Sequence, residues 1–239
     1  MSKKIYALPI NAAFDQDCAC PLCDLENGLD TEAVEYTLGA AMMEPDFRVI
    51  TNKKGFCKRH FARLSSQGNA LSLALMMQSQ SEWQNNRFKA APPAASKGIF
   101  RKSTEKQAAI HRAQEVADFV SSCAVCEKVE NTMVKFFENV VYLWKTDKDF
   151  RQKCDKSAFC LPHFATLTRY AADGLNDAEF RVFYSTLLDA QTARLDACYR
   201  DVSEFTRLFD HRSGGAPTER VKNALKRCIH MYGGVTQTD

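Results

Sequence analysis

The feature that most constrains this chain is a pair of cysteine and histidine motifs that occurs twice. Each copy has a CxxC motif followed further along the chain by a CxxH motif. The second copy repeats the first 103 residues later, so that position 20 corresponds to 123 and position 57 to 160. The first copy comprises Cys20, Cys23, Cys57 and His60, and the second comprises Cys123, Cys126, Cys160 and His163.

The repeat extends to residues that flank these motifs. The tripeptide Asp46-Phe47-Arg48 recurs as Asp149-Phe150-Arg151, and Phe56 recurs as Phe159. A constant offset means that neither copy has gained or lost net length between its two motifs. We therefore infer an internal duplication, and each copy is predicted to form one structural module.

The spacing within the motifs is typical of a metal site. The two thiolates of a CxxC motif lie a short turn apart, and a Cys and a His three positions apart at a helix start share one face. Helix N-termini also stabilise thiolates. We predict that each copy builds its own Cys3His site from its own CxxC and CxxH motifs. Four protein ligands leave no position for water, which is typical of structural sites and not of catalytic ones.

The ligand types favour zinc. Thiolate and imidazole ligands suit Zn²⁺, so two zinc ions are predicted. Iron–sulfur clusters are the alternative, although they usually use four cysteines. Two interpretations without a metal also stay open: the repeat conserves buried core thiols, or the cysteines form redox disulfides.

Composition and charge limit the function classes. The formal net charge of the 239 residues is +3, which is too small to indicate nucleic acid or an anionic membrane as a partner. No apolar run approaches the roughly 18 residues that a membrane-spanning helix needs. The N-terminal stretch does not resemble a secretory signal, because Pro9 interrupts its short apolar part, so a cytoplasmic location is predicted. Thiols stay reduced in that compartment, so the ten cysteines are expected to be metal ligands or buried thiols.

The hydrophobic pattern predicts an all-α fold of duplicated helix–loop–helix modules, each clamped by a Cys3His site, with long C-terminal helices. In each copy a helix is expected after the CxxC motif, and the Asp-Phe-Arg stretch is expected in a connecting loop. Pro45 is expected to end the first of these helices, and each CxxH motif to open another. The predicted helices include about 30–44, 70–87, 124–145, 177–210 and 219–232.

The predicted domain organisation follows the repeat. The order is a first metal-binding module (1–87), a basic linker (88–106), a second metal-binding module with a long helix (107–212), and a C-terminal helix and tail (213–239). The linker contains Pro92-Pro93 and several lysines and arginines with little acid. A solvated linker is the favoured interpretation, and contact with nucleic acid or a phosphate-bearing partner is the alternative.

The duplicated charged pairs Asp46/Arg48 and Asp149/Arg151 are candidates for residues that orient the metal ligands. A local salt bridge or a loop cap explains them equally well. The remaining cysteines, at positions 18, 154, 198 and 228, are interpreted as spare or core thiols.

The motifs also resemble those of a known family. The pattern runs from Ile10-Asn11 through Cys20-Pro-Leu-Cys23 and Glu44-Pro45-Asp46-Phe47-Arg48 to Gly55-Phe56-Cys57-Lys-Arg-His60, and the second FCxxH and the C-terminal stretch fit it too. This pattern is similar to an uncharacterised cysteine-rich bacterial family of unknown function. Some members carry the label of ABC transporter substrate-binding protein, which the sequence does not support. The resemblance implies a helical metal-binding protein and supplies no reaction.

The sequence therefore favours a cytoplasmic, metal-stabilised protein that binds a protein or small-molecule partner without catalysis. No Ser/His/Asp arrangement, phosphate loop or dinucleotide fingerprint competes with this interpretation. One alternative is an iron–sulfur protein for electron transfer or redox sensing. The other is an enzyme with a pocket between the two modules, lined by the duplicated Asp/Arg pairs. Nucleic acid and membrane partners are not expected, and the oligomeric state stays open.

Overall fold

The computed structural model describes residues 6–90, 105–209 and 218–234. These residues form helices and no strand, which confirms the predicted all-α class. A 3₁₀ turn, Ala40–Met43, lies between the second and third helices. The helices are α1 (Ala7–Phe14), α2 (Pro21–Leu38), α3 (Pro45–Lys54), α4 (Lys58–Ser66), α5 (Ala70–Lys89), α6 (Glu105–Ser121), α7 (Ala124–Thr146), α8 (Lys148–Lys156), α9 (Leu161–Gly174), α10 (Asp177–Arg207), α11 (Glu219–Lys222) and α12 (Ala224–Gly233).

Several of these helices differ from the sequence prediction. The first long helix begins inside the CxxC motif and ends at Leu38, before the predicted 30–44 range is complete. Pro45 does not end that helix but occupies the start of α3, where a missing N–H costs nothing. The Asp-Phe-Arg stretch, predicted as a loop, is helical in both copies, within α3 and α8. Helices α1 and α6 were not predicted.

The chain divides into two compact units. The first consists of Met1–Gly28 and Thr132–Asp239, and the second consists of Leu29–Asn131. Their boundaries fall inside α2 and α7, so neither unit corresponds to one copy of the repeat. Most of the basic linker, at 91–104, lies outside the described residues, and the domain boundaries drawn from the sequence stay a prediction.

The core of the first unit is built around aromatic side chains. Phe14 of α1 packs against Phe150 of α8 and Phe159, with ring centroids 4.9 and 6.1 Å apart. Trp144 meets Phe183 edge to face at 5.1 Å and donates its indole N–H to a carboxylate, so its polar atom is satisfied in the core. The long helix α10 packs against α8, α9, α11 and α12. This packing fixes the start of α9, which carries the second CxxH motif.

The second unit is a smaller helical cluster. Helix α3 packs against α5 and α6, and α4 packs against α5. Leu64 and Met76 are buried between these elements. Gly55 ends α3 with a φ of 61°, and a Cβ there would lie 2.7 Å from the ring of Phe119, so glycine is required on both grounds. After this turn the chain continues directly into the first CxxH motif.

Candidate metal centres

All eight predicted ligands lie in two groups of four. Within each group the donor atoms lie within 4.8 Å of one another. Each group has three cysteines and one histidine, so either group could hold a metal ion. Site 1 comprises Cys20, Cys23, Cys160 and His163, and site 2 comprises Cys57, His60, Cys123 and Cys126.

The pairing of the motifs corrects the prediction that each copy builds its own site. Site 1 takes its CxxC motif from the first copy and its CxxH motif from the second, and site 2 does the reverse. The repeat could not reveal this exchange, because equivalent motifs supply the same donor atoms whichever copy they come from. Each site nevertheless lies within one compact unit, site 1 in the first and site 2 in the second.

Every ligand pair sits at a helix N-terminus. Cys57 and Cys160 are the N-cap residues of α4 and α9, with extended backbone, and each histidine follows in the first turn. The CxxC motifs open α2 and α7 in the same way. Two helix starts therefore converge on each site, and their exposed N–H groups favour negatively charged sulfur.

The distances in site 1 fit a tetrahedral ion. Nδ1 of His163 lies 3.6, 3.3 and 3.2 Å from the sulfurs of Cys20, Cys23 and Cys160. The sulfurs of Cys23 and Cys160 lie 3.5 Å apart. A zinc tetrahedron with ordinary bond lengths places two sulfurs about 3.8 Å apart and sulfur and nitrogen about 3.6 Å apart. The four donor atoms are thus spaced for one shared ion.

Site 2 has nearly the same geometry. Nδ1 of His60 lies 3.3, 3.2 and 3.3 Å from the sulfurs of Cys57, Cys123 and Cys126. The sulfurs of Cys57 and Cys126 lie 3.7 Å apart. The duplication has therefore preserved both the ligand set and the ligand spacing.

Each histidine has a carboxylate behind it. Nε2 of His60 lies 2.7 Å from Oδ1 of Asp30, and Nε2 of His163 lies 3.5 Å from Oε2 of Glu26. In a metal-bound site such a carboxylate would accept the hydrogen bond of the Nε2 proton and leave the lone pair of Nδ1 for the ion. Both carboxylates come from α2, one turn apart.

The Asp30 carboxylate is buried and carries two arginine partners. Its side chain is 2% exposed, and Nη2 of Arg59 lies 3.0 Å from Oδ1. Arg63, one turn further along α4, forms an ion pair with Oδ2. A buried carboxylate needs such partners to offset its lost hydration. Each oxygen of the buried Asp30 carboxylate therefore has an arginine partner beside His60.

The sulfur atoms differ in proton affinity. Hydrogen bonds from Cys20 and Cys23 lower the pKa of Cys160 to about 4. Burial raises the pKa of Cys123, but hydrogen bonds from His60 and from backbone N–H groups outweigh burial and lower the pKa to about 6. Burial and the neighbouring Cys123 raise the pKa of Cys126 to about 12. Each site therefore holds a thiolate that could receive a cation, and a bound metal would displace the remaining protons.

The side chain of Gln191 holds the backbone that directly precedes site 1. The buried Gln191 side chain of α10 accepts a hydrogen bond from the N–H of Phe159 at 3.2 Å and donates one to its carbonyl at 2.9 Å. Phe159 immediately precedes the ligand Cys160. Gln191 is a polar residue that is buried in α10 along with the apolar Phe183 and Leu187, and this pair of hydrogen bonds explains its presence there.

The duplicated Asp/Arg pairs make local contacts. Nε of Arg48 donates to the carbonyl of Met42 at 2.7 Å. Arg151 stacks over Trp144 at 4.0 Å and lies 3.9 Å from Asp155. Asp46 and Asp149 are exposed in the first turns of α3 and α8, where negative charge is favourable. Their predicted role in orienting metal ligands stays a prediction.

The other cysteines are free in the structure. Cys154 is buried, and burial raises its pKa well above the usual range, so it remains a neutral core thiol. Cys198 has its pKa raised to about 11 by burial and by a hydrogen bond with Cys228. Among the described residues the clusters of metal-binding side chains are the two sites above.

The remaining findings concern membrane-spanning helices and the comparison with known proteins. Within the described ranges no helix is long and apolar enough to cross a membrane. No curated protein and no solved structure matches the sequence. One family of sequences does match, the "Family of unknown function (DUF6062)", and its match covers residues 1–239. This confirms the resemblance to a family of unknown function, and the chain belongs to that family.

Proposed function

We propose that the protein binds two Zn²⁺ ions and acts as a non-catalytic binding protein whose helices are clamped by those ions. The observation that carries the proposal is the convergence of three sulfurs and one imidazole nitrogen at tetrahedral spacing, twice in the same chain. Soft thiolates with one imidazole suit zinc, and four protein ligands give closed coordination.

The role of the ions in this proposal is structural. Each ion would join two helix starts that are far apart in sequence, such as those at Cys20 and Cys160. Structural zinc in small peptides contributes about 10–16 kcal/mol of apparent binding free energy, which is comparable to the stability of a whole domain. Helices held in this way present a fixed surface to a protein or small-molecule partner.

The free state of all ten cysteines supports a reducing compartment. We therefore propose that the protein works in the cytoplasm. The sulfurs of Cys23 and Cys160 lie 3.5 Å apart and those of Cys57 and Cys126 lie 3.7 Å apart, which suits two ligands of one ion better than a disulfide with sulfurs about 2.0 Å apart.

The test is elemental analysis of protein purified without oxygen, together with its absorption spectrum. Two zinc ions per chain and no visible absorption support the proposal. Iron with inorganic sulfide and a brown colour would instead establish the iron–sulfur alternative, with a role in electron transfer or redox sensing. Protein that takes up no metal, even after reduction and addition of Zn²⁺, would contradict both.

A further inference from the structure

The two sites differ in how they are enclosed, and site 1 is sealed. Its cysteines are no more than 2% exposed, and His163 is 8% exposed. The end of α12 lies against it, with the carbonyl oxygen of Gly234 3.8 Å from the sulfur of Cys23. A Cβ at Gly234 would lie 3.2 Å from the sulfur of Cys160, so the backbone itself covers the thiolates.

Site 2 is open on one side. Cys57 and Cys126 are only half-buried, although His60 behind them is fully buried. Both sulfurs border a surface depression of about 310 Å³. Cys123 also lines it, and its other walls are polar and come from the end of α3, the end of α6 with the residue that follows it, and the first turns of α7: Lys54, Ser121, Ser122, Glu127 and Glu130.

The rim of this depression includes an exposed pair of opposite charges. Lys54 and Glu127 form an ion pair across it, and their side chains are 38% and 45% exposed. Exposed pairs of this kind contribute little stability, so displacing them costs little. The depression is also far larger than a single water molecule needs. An external ligand of a few heavy atoms can therefore reach two of the sulfurs without unfolding a helix.

We propose that site 2 is a metal-exchange site, at which Zn²⁺ passes to and from an external ligand with thiolate or carboxylate donors, while site 1 retains its ion as a structural clamp. The inference rests on the metal binding proposed above and assigns different roles to the two ions. The difference used here is one of access: site 2 is the more open site, although it has the closer carboxylate behind its histidine.

The transfer proceeds by ligand exchange. A donor atom of the external ligand bonds to the ion as the sulfur of Cys57 or Cys126 leaves it, and the remaining protein ligands are replaced in turn. The ion leaves as a complex with the external ligand and keeps its charge of 2+. Any protons that the external donors lose on binding the ion pass to the solvent, from which the released protein sulfurs recover theirs, and no electron is transferred. Delivery of an ion follows the same steps in reverse.

Zinc release from the full-length protein loaded with two Zn²⁺ tests this inference. The probe is a chromophoric chelator in large excess. The inference predicts two phases of one ion each, with rates that differ on the order of tenfold or more, because release from site 1 requires local opening of α12. Two ions that leave in a single phase would overturn the inference and leave the proposed metal binding intact. Protein that cannot be loaded with zinc would contradict the proposed function itself.

Pulsed alkylation with mass spectrometry assigns the phases without any substitution. Cys57 and Cys126 should become labelled during the fast phase, and Cys20, Cys23 and Cys160 during the slow one. Internal controls are present in the chain: the half-buried Cys198 and Cys228 report reagent access, and the buried Cys154 reports global unfolding. Labelling of the site 1 cysteines first, or of both sets together, would overturn the inference.

Discussion

The imidazole of His60 is held between Asp30 and three sulfurs, with Nε2 2.7 Å from the carboxylate and both side chains buried. The carboxylate holds the ring with Nδ1 toward the three sulfurs, where it could bind an ion. His163 has only the longer, 3.5 Å contact with the half-exposed Glu26. The two sites therefore share a ligand set but differ in the support behind it.

Replacement of Asp30 by Asn should weaken zinc binding at site 2 by about 10–100-fold, because the histidine loses the anion that holds its proton. The matched control is Glu26→Gln, which should affect site 1 much less because its contact is longer and more exposed. Competition titrations with a chelator of known affinity measure both. Equal losses in the two variants would show that the carboxylate at 2.7 Å has no special role.

The thiolates give the metal-free protein a specific pH dependence. Near neutral pH Cys160 and Cys123 are ionised, since their pKa values are lowered to about 4 and about 6. The thiolate of Cys123 is therefore lost as the pH falls through about 6, and that of Cys160 as it falls through about 4. Ultraviolet thiolate absorbance of the reduced, folded protein follows both steps, and Cys123→Ser should remove the first. Thiolate signal that appears only near the ordinary value of about 8.5 would contradict the described hydrogen bonding.

Gly234 combines a positive φ of 64° with close contact to a ligand sulfur. Gly234→Ala should reduce the free energy of unfolding by more than the roughly 1–2 kcal/mol of backbone strain alone, and should speed zinc loss from site 1. Gly68→Ala is the matched control, because Gly68 has a φ of 75° and nothing within 4 Å of an added Cβ. Denaturant unfolding and chelator kinetics measure the two effects. Release of zinc at the wild-type rate by both variants would contradict the proposal that the backbone at Gly234 seals site 1.

Gln191→Leu removes a side chain that bonds both backbone groups of Phe159. Two buried polar groups then lose their partners, at a cost of about 1–3 kcal/mol for each group left unsatisfied. Thermal unfolding should show the loss of stability, and the zinc affinity of site 1 should fall more than that of site 2. Gln80→Leu is the comparison, because Gln80 is also buried but donates a single bond, to the carbonyl of Thr51 in the second unit. Weakening of both sites alike by Gln191→Leu would argue for a general effect on folding.

Much of the fold and the residues of both candidate sites were predictable from the sequence. Repeated Cys and His at fixed spacing identified the eight donors, and periodic apolar residues identified most long helices. The exchange of motifs between copies was not predictable, because Cys57 and Cys160 are chemically equivalent and both complete the same ligand set. Only the tertiary packing distinguishes the two pairings.

The carboxylates behind the histidines were missed for a related reason. Asp30 and Glu26 are not repeated, since the positions 103 residues later hold Met133 and Val129. The repeat instead points to Asp46 and Asp149, which recur as the first-turn acids of two equivalent helices and whose role beside the metal ligands stays a prediction. A repeat identifies features that both copies share. It cannot identify contacts that only one copy forms.

The most direct test of the account is the number of zinc ions bound by two double variants. Both variants remove one CxxC cysteine and one CxxH cysteine, so they differ only in which ligands are paired. Exchanged motifs predict that Cys20→Ser with Cys160→Ser damages site 1 alone and leaves one zinc ion per chain, whereas Cys20→Ser with Cys57→Ser damages both sites and leaves none. The opposite result, no zinc in the first variant and one ion in the second, would show that each copy builds its own site and would contradict the structure described here.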